Sequence, residues 1–534
     1  MIANPLFSVV TPVYETPLDV LAETIYSVTS QAWPNWELIL VDDQSPSPRV
    51  REFLADAASR DPRIVVVLRQ ANGGISAASN DGIAAARGEY VVLLDHDDLL
   101  GHGALAKVAA VLRDNPDVDY LYTDEDKIDD FGNRYDTFRK PDWSPERLRG
   151  QMYCAHLSVI RLTLVREVGG FDSAFDGSQD HDLVLKVTEK ARRIYHLPEV
   201  LYHWRALARS TASSGDAKPY TWDAGLRAVQ SHVNRVGIDA EVERGRWFGT
   251  YAVHRRSNPD RMVSIIIPTR GSSGMVGGKE RIYVVDAVRS VLAKTDYPRL
   301  EFVIVADVDT PPGVEAELRE IAGDRLIYLL YDKKFNYAEK CNLGYLASSG
   351  EILVMLNDDV EVIADDFIEE LVGPLSEEDV GMTGAYLIFE DGRVQHAGHR
   401  YAERGFKHAF LDYHDGDPGP FCALKVDREV SGLTAACVAL RREVFAEVGG
   451  MSEQLPVNFN DVDLSLKLRA AGYRLLWLNR VQLYHFESRT RVPEVHQWEV
   501  DLVRARWGVE SVDRYTHEVT EKVHRRRRAG LTVA

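Results

Sequence analysis

Acidic residues at the end of an apolar run are the first sign of chemistry in this sequence. Residues 90–94 are large and apolar, and Asp95, Asp97 and Asp98 follow them directly. Such a run indicates a strand buried on both faces of a parallel sheet, whose carboxyl end lies in the crevice where these sheets bind ligands. Carboxylate oxygens grouped there suit Mg²⁺ or Mn²⁺. The alternative is that they are only turn and helix-cap residues.

A second pair of acids stands where a helix is predicted to begin. Asp180 and Asp182 precede the apolar residues 183–185, so both fall in the first helical turn. Acids in that turn can simply complement the helix dipole, an effect worth about 0.3–1 kcal/mol. The functional interpretation is that Asp180 is a general base. Downstream, His203 and Arg205 supply an imidazole and a guanidinium, for which a packed core histidine and a surface ion pair are the alternatives.

Strands and helices alternate around these acids. Strands are predicted at residues 7–11, 37–41, 64–68 and 90–94, with helices near 18–31, 50–59 and 76–86 between them. This alternation indicates βαβ units and a mostly parallel sheet flanked by helices. No GxGxxG sequence follows the first strand, and the chain has no GxxxxGK[ST] loop. These absences argue against a dinucleotide-binding dehydrogenase and a P-loop ATPase.

The composition narrows the class of protein. A chain of 534 residues is too long for one ordinary core, and 45% hydrophobic with 27% charged residues is typical of a globular protein. The net charge of −19 argues against a general nucleic-acid binder, which needs a basic surface. The four cysteines are far apart and indicate neither a disulfide framework nor a zinc site. With no signal-peptide pattern and no apolar run of membrane-spanning length, we expect a cytoplasmic protein.

The pattern of the first half of the chain begins again in the second half. Five landmarks recur in the same order: the strands at 7–12 and 263–269, the acids Asp43 and Asp307, the pairs Asn80 with Asp95 and Asn342 with Asn357, the helix starts at Asp180 and Asp461, and the histidines His203 and His485. The two asparagine pairs have the same spacing in sequence. The ordered recurrence indicates a tandem duplication.

Together these motifs resemble the inverting family 2 glycosyltransferases, and in particular the bacterial tandem-domain members that build surface polysaccharides. The first copy is similar through SVVTPVYE, VDDQS, NGGISAASN, LLDHDD, YTDEDK, GSQDHDLVLKV and LYHWR. The second copy is similar to a rhamnosyltransferase-type copy through SIIIPTR, FNYAEKCNLG, LNDDVEV, VQHAG, FNDVDLSLKL and LYHFES. The resemblance implies an α/β fold of two GT-A domains in tandem, each with a mostly parallel central sheet flanked by helices.

The resemblance also implies roles for individual residues. The expected catalytic bases are Asp180 and Asp461; the expected nucleotide-sugar contacts are Pro12, Tyr14, Glu15, Asp42, Asp43, Asp95, Arg205, Asp307 and Asp358; the expected metal ligands are Asp97, His203, Asp359 and His485. A divalent Mg or Mn ion would neutralise the nucleotide diphosphate as it leaves. A single carboxylate base would activate an acceptor hydroxyl in one displacement with inversion, so no covalent intermediate is needed.

The second copy departs from the first at two acidic positions and by an insertion. Ala306 and Asn357 stand where the first copy has aspartates, and the Gly-rich residues 271–278 lengthen the loop after the first strand. Because Asp307 and Asp359 are retained, we expect the second site to be active. The alternative is a copy that only binds the acceptor glycan.

The expected organisation is a first domain at 1–240, a linker at 241–261, a second domain at 262–492, and a C-terminal helix with a basic tail at 493–534. In this last segment, residues 494–522 are expected to be largely helical. The tail contains four consecutive arginines at 525–528. A basic cluster of this kind is either a solvated tail or a peripheral contact with anionic lipid on the inner face of the cell membrane.

The sequence thus predicts a metal-dependent, inverting glycosyltransferase. Its predicted donor is a UDP- or TDP-sugar, and its predicted acceptor is a growing cell-surface polysaccharide or a lipid-linked glycan. Three alternatives stay open: a single-activity transferase whose second domain binds the acceptor, a sugar nucleotidyltransferase, and a binding protein without turnover.

Overall fold

The structure is a computed structural model that describes residues 5–206, 219–402, 405–486, 495–508 and 512–517. Its contacts divide the chain into two compact units, Met1–Ile238 with Val242–Ala252 and Asp239–Glu241 with Val253–Ala534. The predicted linker at 241–261 contains most of a two-stranded sheet, formed by the strands Ala240–Arg244 and Tyr251–Arg255. The basic tail at 525–528 lies outside the described residues.

The first half of the chain alternates strands and helices as predicted. Its strands are β1 (Phe7–Val13), β2 (Trp36–Asp42), β3 (Ile64–Leu68), β4 (Tyr90–Leu93), β5 (Leu99–Leu100), β6 (Tyr120–Ile128), β7 (Arg134–Phe138), β8 (Ser158–Arg161), β9 (Ile194–Arg205), β10 (Ala240–Arg244) and β11 (Tyr251–Arg255). Its α-helices are α1 (Leu18–Thr29), α2 (Pro48–Arg60), α3 (Gly74–Ala85), α4 (Ala104–Asp114), α5 (Pro145–Gly150), α6 (Leu162–Glu167), α7 (Gln179–Thr188) and α8 (Pro219–Arg235).

The large sheet of the first unit has the strand order β3-β2-β1-β4-β8-β6-β9-β5, with β7 paired to β6. Most of these strands run in one direction; β5, β7 and β8 run against them. The register pairs Val13 with Asp42 and Val10 with Leu93, so the strands β1, β2 and β4 end at one edge of the sheet. The residues that follow this edge include Asp43 and Asp95.

The sheet holds together because its inner strands are apolar on both faces. Val9, Leu38, Leu40 and Val92 are fully buried, and each such side chain contributes roughly 1.5–3 kcal/mol by leaving water. Helix α1 covers one face through residues of helical spacing, Leu21, Ile25 and Val28. The predicted alternation of α and β elements thus has its expected physical basis.

The second half repeats this plan. Its strands are β12 (Val263–Thr269), β13 (Ser273–Val276), β14 (Lys279–Ile282), β15 (Leu300–Asp307), β16 (Leu326–Tyr331), β17 (Ile352–Leu356), β18 (Val360–Val362), β19 (Val380–Ile388), β20 (Val394–His396), β21 (His399–Ala402), β22 (Gly405–His408), β23 (Arg428–Glu429), β24 (Cys437–Arg441) and β25 (Arg474–His485). Its α-helices are α9 (Tyr283–Ala293), α10 (Pro312–Ala322), α11 (Tyr337–Ala347), α12 (Phe367–Val372), α13 (Arg442–Glu447), α14 (Asn460–Ala470) and α15 (Gln497–Trp507).

The large sheet of the second unit has the order β16-β15-β12-β17-β24-β19-β25-β18, which matches the first sheet strand for strand. The register pairs Pro268 with Val305, as Pro12 pairs with Val41 in the first unit. The predicted α/β class and the predicted duplication are confirmed. The Gly-rich insertion forms the antiparallel pair of β13 and β14.

The C-terminal segment differs from its prediction. A mostly helical stretch was expected from residue 494 to residue 522, but helix α15 ends at Trp507. Gly508 follows with a φ of 73°, the left-handed conformation in which glycine commonly terminates helices. The helix packs within the second unit, where Val503 joins Tyr401 and other buried side chains.

Two equivalent glycines let a helix approach the central strand closely. A Cβ added at Gly82 in α3 would lie 2.5 Å from Val10 Cγ1, and one at Gly344 in α11 would lie 2.4 Å from Ile266 Cγ2. Val10 and Ile266 are buried, so neither can move into free space. In each unit this contact fixes the helix beside the strand that ends at the acidic edge.

Gly82→Val is therefore expected to overpack the core and to lower the free energy of unfolding by about 1–3 kcal/mol. Differential scanning calorimetry of the full chain measures the effect as a lower Tm. Ala84→Val is the matched control, because it introduces the same side chain at an exposed position of the same helix. Equal Tm values for the two variants would contradict the close packing.

Candidate active site

The edge of the first sheet begins with two buried aspartates. Asp43 accepts hydrogen bonds from the backbone N–H groups of Gly73 (3.0 Å) and Gly74 (2.8 Å) and forms an ion pair with Arg69. Asp42 is fully buried and accepts from the Nε of Arg51 at 2.9 Å. A cleft of about 380 Å³ is lined by Gln44, Ser45, Pro46, Pro48 and Arg51. The predicted nucleotide contact Asp42 therefore pairs with one of the residues that line this cleft.

The loop after β1 is tied to the same edge. The carbonyl oxygen of Pro12 lies 3.1 Å from the Nδ1 of His96, which belongs to the acidic turn after β4. Glu15 adopts a φ of 49°, and its carboxylate accepts from the backbone N–H of Ser47 at 2.9 Å. Tyr14 is 46% exposed. The three predicted loop residues thus adjoin the predicted nucleotide edge, with one aromatic ring open to solvent.

The acidic turn after β4 contains carboxylates that are held out of water. Asp98 is fully buried and accepts from the hydroxyl of Tyr202 (2.6 Å) and the backbone N–H of Arg205 (2.7 Å). Burial raises the pKa of Asp98 well above its ordinary value, and the charges of Asp95 and Asp97 raise it further. Burial also raises the pKa of Asp97, with the charge of Asp95 adding to it. A cation at this turn would offset the repulsion.

Arg205 braces the acidic turn. Its side chain is buried, its Nε donates to the carbonyl oxygen of Asp97 at 2.8 Å, and its Nη2 pairs with Glu23 at 2.5 Å. His203, two residues before Arg205 in β9, has its Nδ1 2.6 Å from Asp126. Contacts of Arg205 with a leaving group and of His203 with a metal stay predictions.

A histidine that the sequence did not single out completes the acidic turn. Asp95, Asp98 and His156 each offer a ligand atom within 4.8 Å of the others. The antiparallel register pairs Val92 with Val159, so the residue three before Val159 lies beside the residue three after Val92. Two carboxylates and an imidazole fit a divalent ion such as Mn²⁺. The predicted ligand Asp97 is next to this group in sequence.

His156 also connects the acidic turn to the predicted base. Its ring stacks on Tyr202 with 4.5 Å between centroids, and its charge lowers the pKa of Asp180. The larger effect on Asp180 is burial, which raises the pKa of this carboxyl. Asp180 lies in the first turn of α7, where its Oδ1 accepts from the backbone N–H of His181 at 2.8 Å. Asp180 and the acidic turn therefore belong to one site.

The second unit gives Asp307 a different cationic partner. The Nζ of Lys340 lies 2.6 Å from Asp307 Oδ1 and donates to the carbonyl oxygen of Thr269 at 2.9 Å. Lys340 is buried, and burial lowers the pKa of its ammonium group while Asp307 raises it. Arg270 is a more distant partner, 3.9 Å from the same carboxylate. Asp307 thus has compensation from α11 and from the end of β12.

The acidic turn of the second unit contains Asn357, Asp358 and Asp359. His485 brings it together: its Nε2 is 3.2 Å from Asp359 Oδ1 and 3.2 Å from Asn357 Nδ2. Thr269 donates to Asp358 at 2.6 Å. Burial, and then the charge of Asp359, raise the pKa of Asp358 to about 7. The predicted metal ligands Asp359 and His485 therefore adjoin each other.

The second predicted base occupies the same place as the first. Asp461 lies in the first turn of α14. Its Oδ1 accepts from the backbone N–H of Val462 at 2.8 Å, and its Oδ2 accepts from that of Ala435 at 3.4 Å. Ala435 precedes β24, the strand equivalent to β8, so Asp461 is anchored beside the central sheet.

Comparison with known proteins decides the family. Residues 8–169 and 264–449 both match the family described as Glycosyl transferase family 2. The chain belongs to glycosyl transferase family 2. The two matched regions contain most strands of the two large sheets but not β9 or β25. The recognition made from the motifs is confirmed, together with the two GT-A folds and the assignment to the glycosyltransferases.

Two relatives align with almost the whole of this glycosyltransferase chain. The y4gI protein of Sinorhizobium fredii is 43% identical over 522 residues, which are 94% of this chain and 56% of the relative. The O-antigen biosynthesis protein RfbC of Myxococcus xanthus is 38% identical over 501 residues, which are 93% of this chain and 39% of the relative. The chain spans about half of the first relative and less of the second.

Solved structures give a weaker likeness. Residues 1–349 of S. aureus TarS, in a complex with UDP-GlcNAc, share 21% identity with a TM-score of 0.36, and the match covers 42% of this chain and 66% of that TarS chain. Among the described helices, none is both long and apolar enough to span a bilayer.

The buried carboxyl of Asp358 predicts a pH dependence of stability. Its pKa is about 7 in the folded protein against an ordinary value of 3.8, so the native state binds the proton more tightly than the unfolded state. The stability that this group contributes is complete below about pH 3.8 and is lost as the pH rises through 7. Since one pKa unit corresponds to about 1.4 kcal/mol, Asp358→Asn should unfold at higher temperature than wild type at pH 8.

The measurement is a set of thermal melts between pH 5 and pH 8 in buffer free of metal and nucleotide. The gain in Tm should shrink as the pH falls toward 5. Asp309→Asn, at an exposed site in the same unit, is the control and should show no such trend. A gain that is the same at both pH values would contradict the assignment.

Proposed function

We propose that this chain is an inverting, metal-dependent glycosyltransferase that moves sugars from nucleotide-diphosphate donors to a glycan. One observation carries the proposal: His156 offers a ligand atom within 4.8 Å of those of Asp95 and Asp98, and it is close enough to Asp180, in the first turn of α7, to lower the pKa of that carboxyl. This proximity supports a base beside a leaving-group site, as a direct displacement requires.

The nucleotide would lie at the ends of β1 and β2. In the first unit, Asp43 is held by the N–H groups of residues 73 and 74, so its carboxylate is in place before a ligand arrives. Tyr14 offers an exposed ring on the same side. In the second unit, Asp307 takes the equivalent position. A preorganised edge of this kind binds its ligand without first having to order the loop.

The sugar would be transferred at the acidic turn. Asp180 takes the proton of the acceptor hydroxyl as that oxygen attacks the sugar carbon, and the nucleotide diphosphate leaves from the opposite side. Burial raises the pKa of Asp180, which makes it a stronger base than an exposed carboxylate. A divalent cation held by Asp95, Asp98 and His156, with Asp97 beside them, supplies charge neutralisation to the diphosphate. Tyr202 and Arg205 stabilise the conformation of the acidic turn by hydrogen bonds to Asp98 and Asp97.

The second unit would carry its own transfer, with Asp461 as base and Asp358, Asp359 and His485 at the leaving group. The contact of His485 with Asp359 supports a complete site. The loss of two aspartates at Ala306 and Asn357 supports the other candidate, in which this unit only binds the acceptor. The similarity to the O-antigen biosynthesis protein RfbC supports a polysaccharide or lipid-linked acceptor.

Asp180→Asn and Asp461→Asn are each expected to remove one of two linkages, with a loss of about 10²–10⁴ in rate. The measurement is a transfer assay with UDP-, TDP- and GDP-sugars and Mn²⁺, in which product linkages are resolved by mass spectrometry. Asp130→Asn, in the exposed turn between β6 and β7, is the control. If both variants keep both linkages, the base assignments are wrong. If only Asp180→Asn removes a linkage, the second unit is an acceptor-binding copy.

Nucleotide binding can be tested separately by thermal shift. Binding to the native state raises stability by RT ln(1 + [L]/Kd), about 2.7 kcal/mol at 100 times Kd. Asp43→Asn and Asp307→Asn are each expected to lose part of the metal-dependent stabilisation given by the best nucleotide sugar, and the double variant is expected to lose all of it. If the nucleotide sugar stabilises the double variant as much as the wild type, the proposed position of the nucleotide is wrong.

A further inference from the structure

Three histidines of the second unit form a compact group that the transfer mechanism does not use. His396 ends β20, His399 begins β21 and His408 ends β22. Their ring centroids are 4.9 Å (396 to 399), 5.0 Å (396 to 408) and 5.0 Å (399 to 408) apart. Each offers a ring nitrogen within 4.8 Å of the others. We call these residues the histidine cluster.

The local fold specifies the cluster. The antiparallel strands β21 and β22 pair His399 directly with His408. Gly398 lies between His396 and His399 with a φ of 87°, and a Cβ there would lie 2.4 Å from Val430. Only glycine fits this turn, which returns the chain so that the two histidines face the same point. The cluster therefore follows from strand pairing and one tight turn.

Two of the three imidazoles are buried: His396 and His399 are 1% and 5% exposed, and His408 is half-buried. Burial lowers the pKa of His399 to about 3 and that of His396 well below its ordinary value. A metal ion needs exactly one unprotonated nitrogen from each ligand, so neutral rings bind without first losing a proton at physiological pH. The Nδ1 atoms of His396 and His408 are 2.8 Å apart, a hydrogen bond between a protonated and an unprotonated nitrogen that a bound ion would replace.

We propose that His396, His399 and His408 bind a transition-metal ion of the Zn²⁺ type at a site separate from the acidic turn of the second unit. Three imidazole nitrogens suit Zn²⁺, Co²⁺ or Ni²⁺ and are poor ligands for Mg²⁺. Three protein ligands also leave a fourth position for water or a hydroxyl group. The proposal goes beyond the proposed transfer reaction and stands if that reaction is absent.

The position of the histidine cluster indicates a function for a bound ion. Burial is the main cause of the low pKa values of His399 and His396, and smaller effects come from the charge of Asp461 on the first and of His485 on the second. The predicted base and the acidic turn of the second unit are therefore both near the cluster. The backbone N–H of Thr434 donates to His396 Nε2 at 3.3 Å, beside the residue that anchors Asp461. An ion here would hold an acceptor hydroxyl or water next to Asp461. In the described part of the first unit, the metal-ligand group is the acidic one.

The test uses the untagged full-length chain, stripped with a chelator and titrated with Co²⁺ and Zn²⁺. We expect one equivalent of Co²⁺ to give visible absorption bands of a tetrahedral site and to be displaced by Zn²⁺. X-ray absorption on the Zn²⁺ form should show imidazole nitrogens at about 2.0–2.1 Å. Wild-type protein that binds neither ion in this way would overturn the proposal, and this measurement needs no variant to fold.

Variants then locate the ion. His399→Ala should weaken Zn²⁺ binding by more than the about 10–100-fold that loss of an outer partner costs. His102→Ala, an exposed histidine of the first unit, and Asp359→Asn, at the acidic turn, are the controls and should keep the absorption bands. Bands that persist in His399→Ala but vanish in Asp359→Asn would assign the ion to the acidic turn and overturn the proposal. Transfer activity in either outcome is measured separately with Mn²⁺.

Discussion

Everything at the active edge depends on placing several carboxylates in one poorly solvated spot. The apolar strand β4 is followed by Asp95, Asp97 and Asp98. Removing a charge from water without a partner costs several kcal/mol. Asp98 accepts hydrogen bonds from the hydroxyl of Tyr202 and the backbone N–H of Arg205. Burial, and to a smaller extent the neighbouring carboxylates, raise the pKa values of Asp97 and Asp98. In the proposed reaction, a cation at this turn would offset the repulsion among these groups.

The two units use different residues to compensate the charge of the equivalent carboxylates Asp43 and Asp307. Asp43 pairs with Arg69, which follows β3, whereas Asp307 pairs with Lys340 from the helix α11. The register sets Tyr331 where Arg69 stands, so the second unit has lost the strand cation and gained one on the helix. A compensating change is expected if an anionic residue is kept for function, because an unpaired buried carboxylate is costly. Retention of the pair argues that Asp307 is still in use.

The local motifs that recur in both halves could be predicted from the sequence, whereas contacts between residues that are distant in sequence could not. Apolar runs ending in Asp43 and Asp95, and the helix start at Asp180, carry local signals that two copies reinforce. His156 carries none, because its place beside Asp95 follows from the antiparallel register of β4 with β8. The end of α15 at Gly508 was missed since helical composition continues beyond it.

The histidine cluster shows how far the copies have diverged around a common scaffold. The strand register aligns Ala436 with His156, so the second unit lacks the imidazole that joins the acidic turn to the base in the first. In its place, His396 and His399 approach the base from β20 and β21. One unit thus gathers oxygen-rich ligands and the other adds an all-nitrogen group, and ligands of such different character select different ions. In the proposed reaction the base is the group that each acceptor hydroxyl must reach, so the different side chains near Asp180 and Asp461 would give the acceptor different surroundings in the two units.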